Sequence, residues 1–277
     1  MLSQAGKDVL IKAVASAIPV YAMAYFKLPM SLCQEINKML ADFWCGQSKT
    51  GKKQHWISWT SMCCGKSLGG LGFRDLQSFN QALLAKQGWR IITNPNSLLA
   101  RVLKGEYFHA SSFSQASING NPSWGWRSLL WRREILLHGM RWQVNNGNSI
   151  LCKEDKWIPQ SFPNLPHVKA DANPHINWVS QLIDRPNCRW NYQALNDVFH
   201  EDEIRNIMAI PISMVDREDR ISWHLTQNGT YNVKSSYHIA HTLKMSKIME
   251  NVAGPSLNSQ ANLNSFWKKV WSTQLPP

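Results

Sequence analysis

Residues 69–90 read Gly69-Gly-Leu-Gly-Phe-Arg-Asp75-Leu-Gln-Ser-Phe-Asn-Gln-Ala-Leu-Leu-Ala-Lys86-Gln-Gly-Trp-Arg90, a glycine-rich turn that runs straight into a helix. The glycines permit a tight turn with positive φ. Asp75 stands where a carboxylate can accept from the free N–H groups of a first helical turn, which predicts a helix over 76–92. The same glycines carry no phosphate chemistry. A dinucleotide fingerprint needs a third glycine where position 75 holds aspartate, and Gly65-Lys66-Ser67 lacks a P-loop's earlier glycine because position 60 is threonine. Lys86 and Arg90 are four residues apart, so they share one side of the helix. There they repel by roughly 0.2–0.5 kcal/mol unless an anion lies between them.

The flanking chain reads as further helices and short turns. Residues 2–27 read as helix up to Pro19, with a kink and one or two more turns before Pro29. Ser31 with Gln34 fits a capping box for a second helix through about Trp44. His55 to Trp59 is short and aromatic, either a strand or the lead-in to a helical turn capped by Ser58. Asn94-Pro95 fits an N-cap followed by proline at the first helical position, opening a helix to about Tyr107. Residues 109–123 are rich in Ser, Asn and Gly and read as a linker. A helix over 125–137 precedes residues 141–144 and 149–153, which Asn146-Gly147 joins as a predicted β-hairpin. Prolines 159, 163, 166 and 174 mark irregular chain. Asn228-Gly229 predicts a second hairpin between 221–225 and 230–233, and helices over about 234–249 and 262–272 follow. The fold class expected is mainly α with small β-hairpins (α+β).

Charge is distributed unevenly. Of the formal net charge of +12, residues 1–150 hold +11, from 17 Lys/Arg against 6 Asp/Glu, and residues 151–277 hold only +1. The first half is therefore the half expected to meet a polyanion. Fourteen tryptophans exceed what a core of this size needs, so some indoles are expected to be free to stack on bases while most pack. Six cysteines (Cys33, Cys45, Cys63, Cys64, Cys152 and Cys188) show no Cys-x-x-Cys pair. Without a secretory leader they read as reduced thiols of an intracellular protein, nuclear or cytoplasmic. The uncharged run from Ala13 to Phe26 is 14 residues long and broken by Pro19, too short to span a bilayer.

Catalytic and metal constellations are weak. Cys33, Cys45, His55 and Cys63 or Cys64 lack the paired spacing of structural zinc ligands, and His238 with His241 has no third ligand. No Asp-Asp pair is present to hold catalytic metal ions. Glu201-Asp202-Glu203 falls where a helix begins, where acidic residues favour the helix dipole. Asp216, Glu218 and Asp219 alternate with Arg217 and Arg220 as a surface ion-pair pattern. The basic residues fare better. Lys49, Lys52 and Lys53 neighbour Trp56; Lys86 and Arg90 share a helix side; Arg101 and Lys104 repeat the arrangement at a spacing of three. Arg127, Arg132, Arg133 and Arg141 are interleaved with Trp124, Trp126, Trp131 and Trp142. Cations that meet phosphate beside rings able to stack are what sequence-tolerant nucleic-acid binding requires. With Arg74 these make the predicted binding set.

Other blocks share a family pattern with 69–90. They are Leu2-Ser-Gln-Ala-Gly-Lys-Asp-Val-Leu-Ile-Lys-Ala-Val14 with Ile18-Pro-Val-Tyr-Ala-Met23, and Phe43-Trp-Cys-Gly46 with Lys53-x-His55-Trp-Ile-Ser-Trp59. Asn146-Gly-Asn-Ser-Ile150 with Lys156-Trp-Ile-Pro159, Trp223, Gly229-Thr-Tyr-Asn-Val-Lys-Ser-Ser-Tyr237 and Phe266-Trp-Lys-Lys-Val-Trp271 follow in order. In that order they resemble the region after the palm in plant LINE-type (non-LTR) retroelement reverse transcriptases. The resemblance implies a helical thumb-like region over 1–110, a Trp/Arg-rich helix and β-hairpin over 111–160, and a connector over 161–277. That connector would carry the second hairpin and the last helices and stop before a zinc-binding segment. The palm, with its Asp-Asp box and magnesium, would lie before residue 1, so no cofactor is expected on this chain. The function implied is a non-catalytic fragment of an RNA-directed DNA polymerase with residual sequence-nonspecific binding. Its partners would be RNA, DNA or an RNA–DNA hybrid and other retroelement domains, with no membrane. The alternative is a structural or interaction remnant that binds no nucleic acid.

Overall fold

A computed structural model describes residues 2–48, 51–52, 57–109, 111–118, 120–159 and 165–252. In chain order its helices are α1 (Gln4–Val9), α2 (Val20–Tyr25), α3 (Met30–Cys45), α4 (Trp59–Met62), α5 (Leu76–Thr93) and α6 (Leu98–Tyr107). They continue with α7 (Trp124–Leu130), α8 (Arg133–Gly139), α9 (Tyr192–Asn196), α10 (Glu201–Met208) and α11 (Val233–Val252). The strands are β1 (Gln47–Ser48), β2 (Gly51–Lys52), β3 (Met140–Gln143), β4 (Ile183–Asp184), β5 (Arg189–Trp190) and β6 (Arg220–Trp223). They pair antiparallel as β1–β2, β3–β6 and β4–β5. The fold is mainly α with small antiparallel β pairs. Its described residues divide into two units, one up to Ile135 and from Val233 on, the other Leu136–Asn232.

The first unit is built around α5. Helices α2, α3, α6, α7 and α11 all pack against it. Lys86, Arg90 and Thr93 are exposed on α5, while Leu76, Ala82, Leu84 and Ala85 are almost wholly buried. The turn before it explains its glycines. Gly69 and Gly72 hold φ of 82° and 71°, and a Cβ on Gly70 would fall 2.0 Å from the Cys64 carbonyl oxygen. Beyond that turn Phe73 stacks on Trp59 with ring centroids 5.1 Å apart and meets Trp44 edge-on.

Burial on almost every side obliges the inward polar residues of α5 to find partners inside the unit. Asp75 Oδ2 accepts from the Ser78 amide at 2.9 Å and from its hydroxyl at 2.7 Å, as an N-cap should. Asp75 Oδ1 pairs with Lys244 Nζ of α11 at 2.8 Å, and the Asp75 amide donates to the Tyr237 hydroxyl at 3.1 Å. One residue thus caps α5 and fastens α11 to it. Asn80, 1% exposed, has the same role on another side. Its Nδ2 donates to the Met23 and Phe26 carbonyls at 2.7 and 2.8 Å, and its Oδ1 accepts from the Leu28 amide at 3.0 Å. Those bonds bind the end of α2 and the segment after it to α5.

The second unit packs Ile150, Trp157, Leu182, Val198 and Phe199 into one core. The Trp157 and Trp190 indoles donate to the Cys152 and Ile210 carbonyls at 3.0 and 2.9 Å, so neither ring buries an unmet N–H. Neither predicted hairpin forms. The first strands of both pair with each other instead: Met140 lies opposite Trp223 and Gln143 opposite Arg220. The reason is Asp219. Its carboxylate accepts from the amides of Asn145, Gly147 and Ser149 at 2.8–3.0 Å, so residues 145–149 wrap around it. The chain beyond them bonds to residues 177–179 through Cys152 and Ile150. The glycines do turn the chain, with φ of 75° at Gly147 and 68° at Gly229.

Helix boundaries differ in smaller ways. The first helix is interrupted by a π-helical stretch, Leu10–Ala15. The Ser31–Gln34 capping box does not form, because α3 begins at Met30 behind Pro29. Asn94 closes α5, and the cap of α6 is Ser97, whose Oγ accepts from the Ala100 amide. Ser58 caps α4, which settles its neighbourhood as a helical turn. The predicted helix over 125–137 is two helices, α7 and α8. The predicted helix over 262–272 lies outside the described residues.

Asn80→Ala leaves the Met23 and Phe26 carbonyls and the Leu28 amide without their partner. A loss of about 3 kcal/mol in urea denaturation is expected at 1–3 kcal/mol per unmet buried group; a loss under about 1 kcal/mol would contradict this role. For Asp75, burial alone raises the carboxyl's pKa. The Lys244 hydrogen bond and charge, with the Ser78 bonds, outweigh it and leave the group below its usual range. A depressed carboxylate stabilises the fold fully above its unfolded pKa of about 3.9, and the contribution is lost as pH falls through the folded value. Asp75→Asn should therefore cost about 2 kcal/mol at pH 7, and progressively less as the pH falls below the unfolded value of about 3.9 and through the folded one. A mutant with wild-type acid sensitivity would contradict the linkage.

Candidate nucleic-acid interface

The feature that gathers cations and aromatic rings is a groove of the first unit. Its volume is about 410 Å³, and it lies between the segment following α2 and the α7–α8 corner. Trp131 and Trp124 are its two lining rings. Lys27 Nζ lies 4.2 Å from the Trp131 ring centroid and the Arg132 guanidinium carbon 3.6 Å from it. Two cations thus share one indole, each attracted by the ring's negative face by about 0.5–2 kcal/mol according to its desolvation. Trp124, 56% exposed, also lines the groove.

Local structure holds these groups in place. Ser123 caps α7 by accepting from the Trp126 amide at 3.2 Å, which sets Trp124 at the first position of the helix. Ser128 Oγ donates to the Trp124 carbonyl at 2.7 Å and accepts from the Lys27 amide at 2.9 Å, joining the two sides of the groove. Trp126, two residues on and about 200° round the helix, is core: it stacks on Tyr107 and Phe108 at 4.8 and 5.4 Å. The two tryptophans therefore divide between core and surface by helical geometry. Burial lowers the Arg132 pKa to about 10, with Glu134 acting against it. The Arg132 Nε is buried without an acceptor among the described residues, and no carboxylate lines the groove there.

The other predicted binding residues are placed as follows. Lys86 and Arg90 share the exposed side of α5, with Arg90 Nη1 donating to Gln87 Oε1 at 3.2 Å. Arg101 and Lys104 are exposed on α6, and Arg127 on α7. Arg74 is exposed with its guanidinium 4.8 Å from the Phe79 ring centroid. Arg133 donates to the Ala116 carbonyl, an anchoring contact for the chain after α6. Arg141 belongs to the second unit, on β3; burial lowers its pKa, and its Nε has no acceptor among the described residues. Lys52 lies on β2, while Lys49, Lys53 and Trp56 lie outside the described residues. Sequence reasoning missed Lys27. Its signal was a lone cation between the uncharged run ending at Phe26 and Pro29.

Among the described residues no group of three or more His, Cys, Asp or Glu is placed to hold a metal ion. His241 stacks on Tyr237, and burial lowers its pKa. Glu201, Asp202 and Glu203 form the first turn of α10, as the dipole argument expects. Among the described residues no helix is long and apolar enough to cross a membrane.

Fold and groove define a helical module with a basic, aromatic surface. No family model and no solved structure matches the chain. It is 41% identical over 151 residues to the uncharacterized mitochondrial protein AtMg00310 of Arabidopsis thaliana, covering 54% of this chain and 98% of that protein. The chain belongs to the family of that protein. It is also 28% identical over 283 residues to the putative ribonuclease H protein At1g65750 of the same plant, across 99% of this chain. There it spans 43% of the relative's length. Both matches are consistent with a retroelement-derived protein.

Proposed function

We propose that the chain is a sequence-nonspecific RNA- or DNA-binding module, corresponding to the thumb-like and connector part of a retroelement reverse transcriptase and without catalysis of its own. The observation that carries this reading is the pair of cations on Trp131 beside exposed Trp124 in one groove. Phosphate neutralisation by Lys and Arg, with rings left free to stack, gives affinity without reading base edges. The concentration of net charge in the first half supports the same partner. So does similarity to a protein named for ribonuclease H, whose name implies a nucleic-acid substrate. The thumb-like assignment rests on the ordered sequence blocks.

A salt titration tests the reading. Binding to single-stranded and hybrid probes should weaken with a log–log slope of about −0.7 to −0.9 for each phosphate contact. Lys86, Arg90, Arg101 and Lys104 are all exposed, so reversing them to glutamate leaves the core intact. That variant should lose at least about tenfold in affinity at low salt and a slope of about one per contact removed. Affinity indifferent to salt, or unchanged in the variant, would overturn the reading.

A further inference from the structure

We propose that the groove formed by Lys27, Trp124, Trp131 and Arg132 is a subsite for one unpaired nucleotide of a nucleic-acid strand, with its base against Trp124 and its phosphate against Lys27 and Arg132. This rests on the nucleic-acid reading above and goes beyond it, because general phosphate binding needs no groove at all.

Three observations select this occupant. The first is size. A volume of about 410 Å³ lies in the lower part of the roughly 300–1,000 Å³ range of small-ligand sites. It has room for a single nucleotide and none for a double helix. The second is the division of labour between the two indoles. Trp131 is already covered by Lys27 and Arg132, whereas Trp124 is 56% exposed and offers a ring to a base. A base inside a duplex is stacked above and below, and a terminal pair, which exposes one face, is too wide for the groove, so an unpaired base is the one that can enter. The third is charge. Lys27 and Arg132 both line the groove, and no carboxylate among the described residues lines it, although Glu134 acts on Arg132 from outside the lining. A phosphate in the groove meets the positive field of both. The rest of the lining is apolar at Leu28, Pro29, Met30 and Cys33, which suits the sugar, with Gln77 as a polar side chain able to meet a base edge.

The walls are also held rigidly, which lowers the cost of ordering on binding. The Lys27 amide is bonded to Ser128 and the Leu28 amide to Asn80. Both partners are buried side chains of neighbouring helices.

The test compares three fluorescent probes by anisotropy on the full chain: a blunt duplex, the same duplex with a three-nucleotide overhang, and a short single strand. The wild-type protein should prefer the overhang to the blunt duplex by about tenfold, the order expected of one base–aromatic stack. Trp124→Ala should remove the overhang preference, bringing the ratio of overhang to blunt affinity to about one, while the melting curve stays unchanged because Trp124 is exposed. Trp124→Phe should keep most of the preference. Lys27→Gln should weaken the overhang probe more than the blunt one. Equal binding of overhang and blunt duplex by the wild type overturns the subsite and leaves the general binding reading standing. An overhang preference that survives Trp124→Ala does the same. Binding of none of the probes overturns both. A thymidine monophosphate arm separates the sources: competition restricted to the overhang preference supports the proposal. Tight binding of the free nucleotide without any overhang preference assigns the groove to a free nucleotide and overturns it.

Discussion

A helix buried on almost every side cannot carry an unmet polar group, and α5 carries Ser78, Asn80, Gln81 and Gln87 inside the first unit. That constraint organises the unit. Asp75 and Asn80 join α5 to other elements, and Ser78 helps to close its first turn. Asp75 caps the helix and pairs with Lys244 of α11, and Asn80 binds three backbone groups of residues 23–28. An all-apolar helix would pack equally well but would not specify where its neighbours lie. Here the polar bonds set the position of the segment after α2, whose residues 27–30 line the groove.

The same bonds link architecture to the proposed function. Lys27 carries its charge on a segment whose backbone is bonded to Ser128 and, one residue on, to Asn80. Trp131 and Arg132 come from the α7–α8 corner, held by the caps of α7 and by the stacking of Trp126 in the core. A cation on a flexible surface loop would meet phosphate as well, but only transiently. Fixing two cations on one ring converts diffuse positive charge into a place. The tryptophan content follows from the same division, since Trp126, Trp157 and Trp223 are core while Trp124 and Trp131 form the groove.

Much of this was legible in the sequence wherever the signal was local. Asp75 announced the start of α5, the glycines before it announced a turn, and the spacing of Lys86 and Arg90 placed both on one side. The failures came where the deciding interaction was distant along the chain. Asn146-Gly147 and Asn228-Gly229 do turn the chain, yet the strands beside them pair with each other across some eighty residues. No local pattern reveals that Asp219 would claim the amides of residues 145–149. Lys27 escaped notice for the same reason: it is unremarkable until folding brings Trp131 to it. Asn80 too reads locally as a mediocre helix residue, and only burial shows why it is there. Asn94 was misread because it fits either end of a helix, and Ser97, three residues on, was the better cap.

Hydrogen exchange with and without a saturating single-stranded oligonucleotide is the most direct measurement of the account. Amides of α5 should be the slowest of the first unit in the free protein, opening only with the unit as a whole, and should not change on binding. Slowing on binding should fall on residues 26–33 and 123–132. Fast exchange along α5, or protection confined to residues 136–232 with the groove segments unchanged, would contradict it.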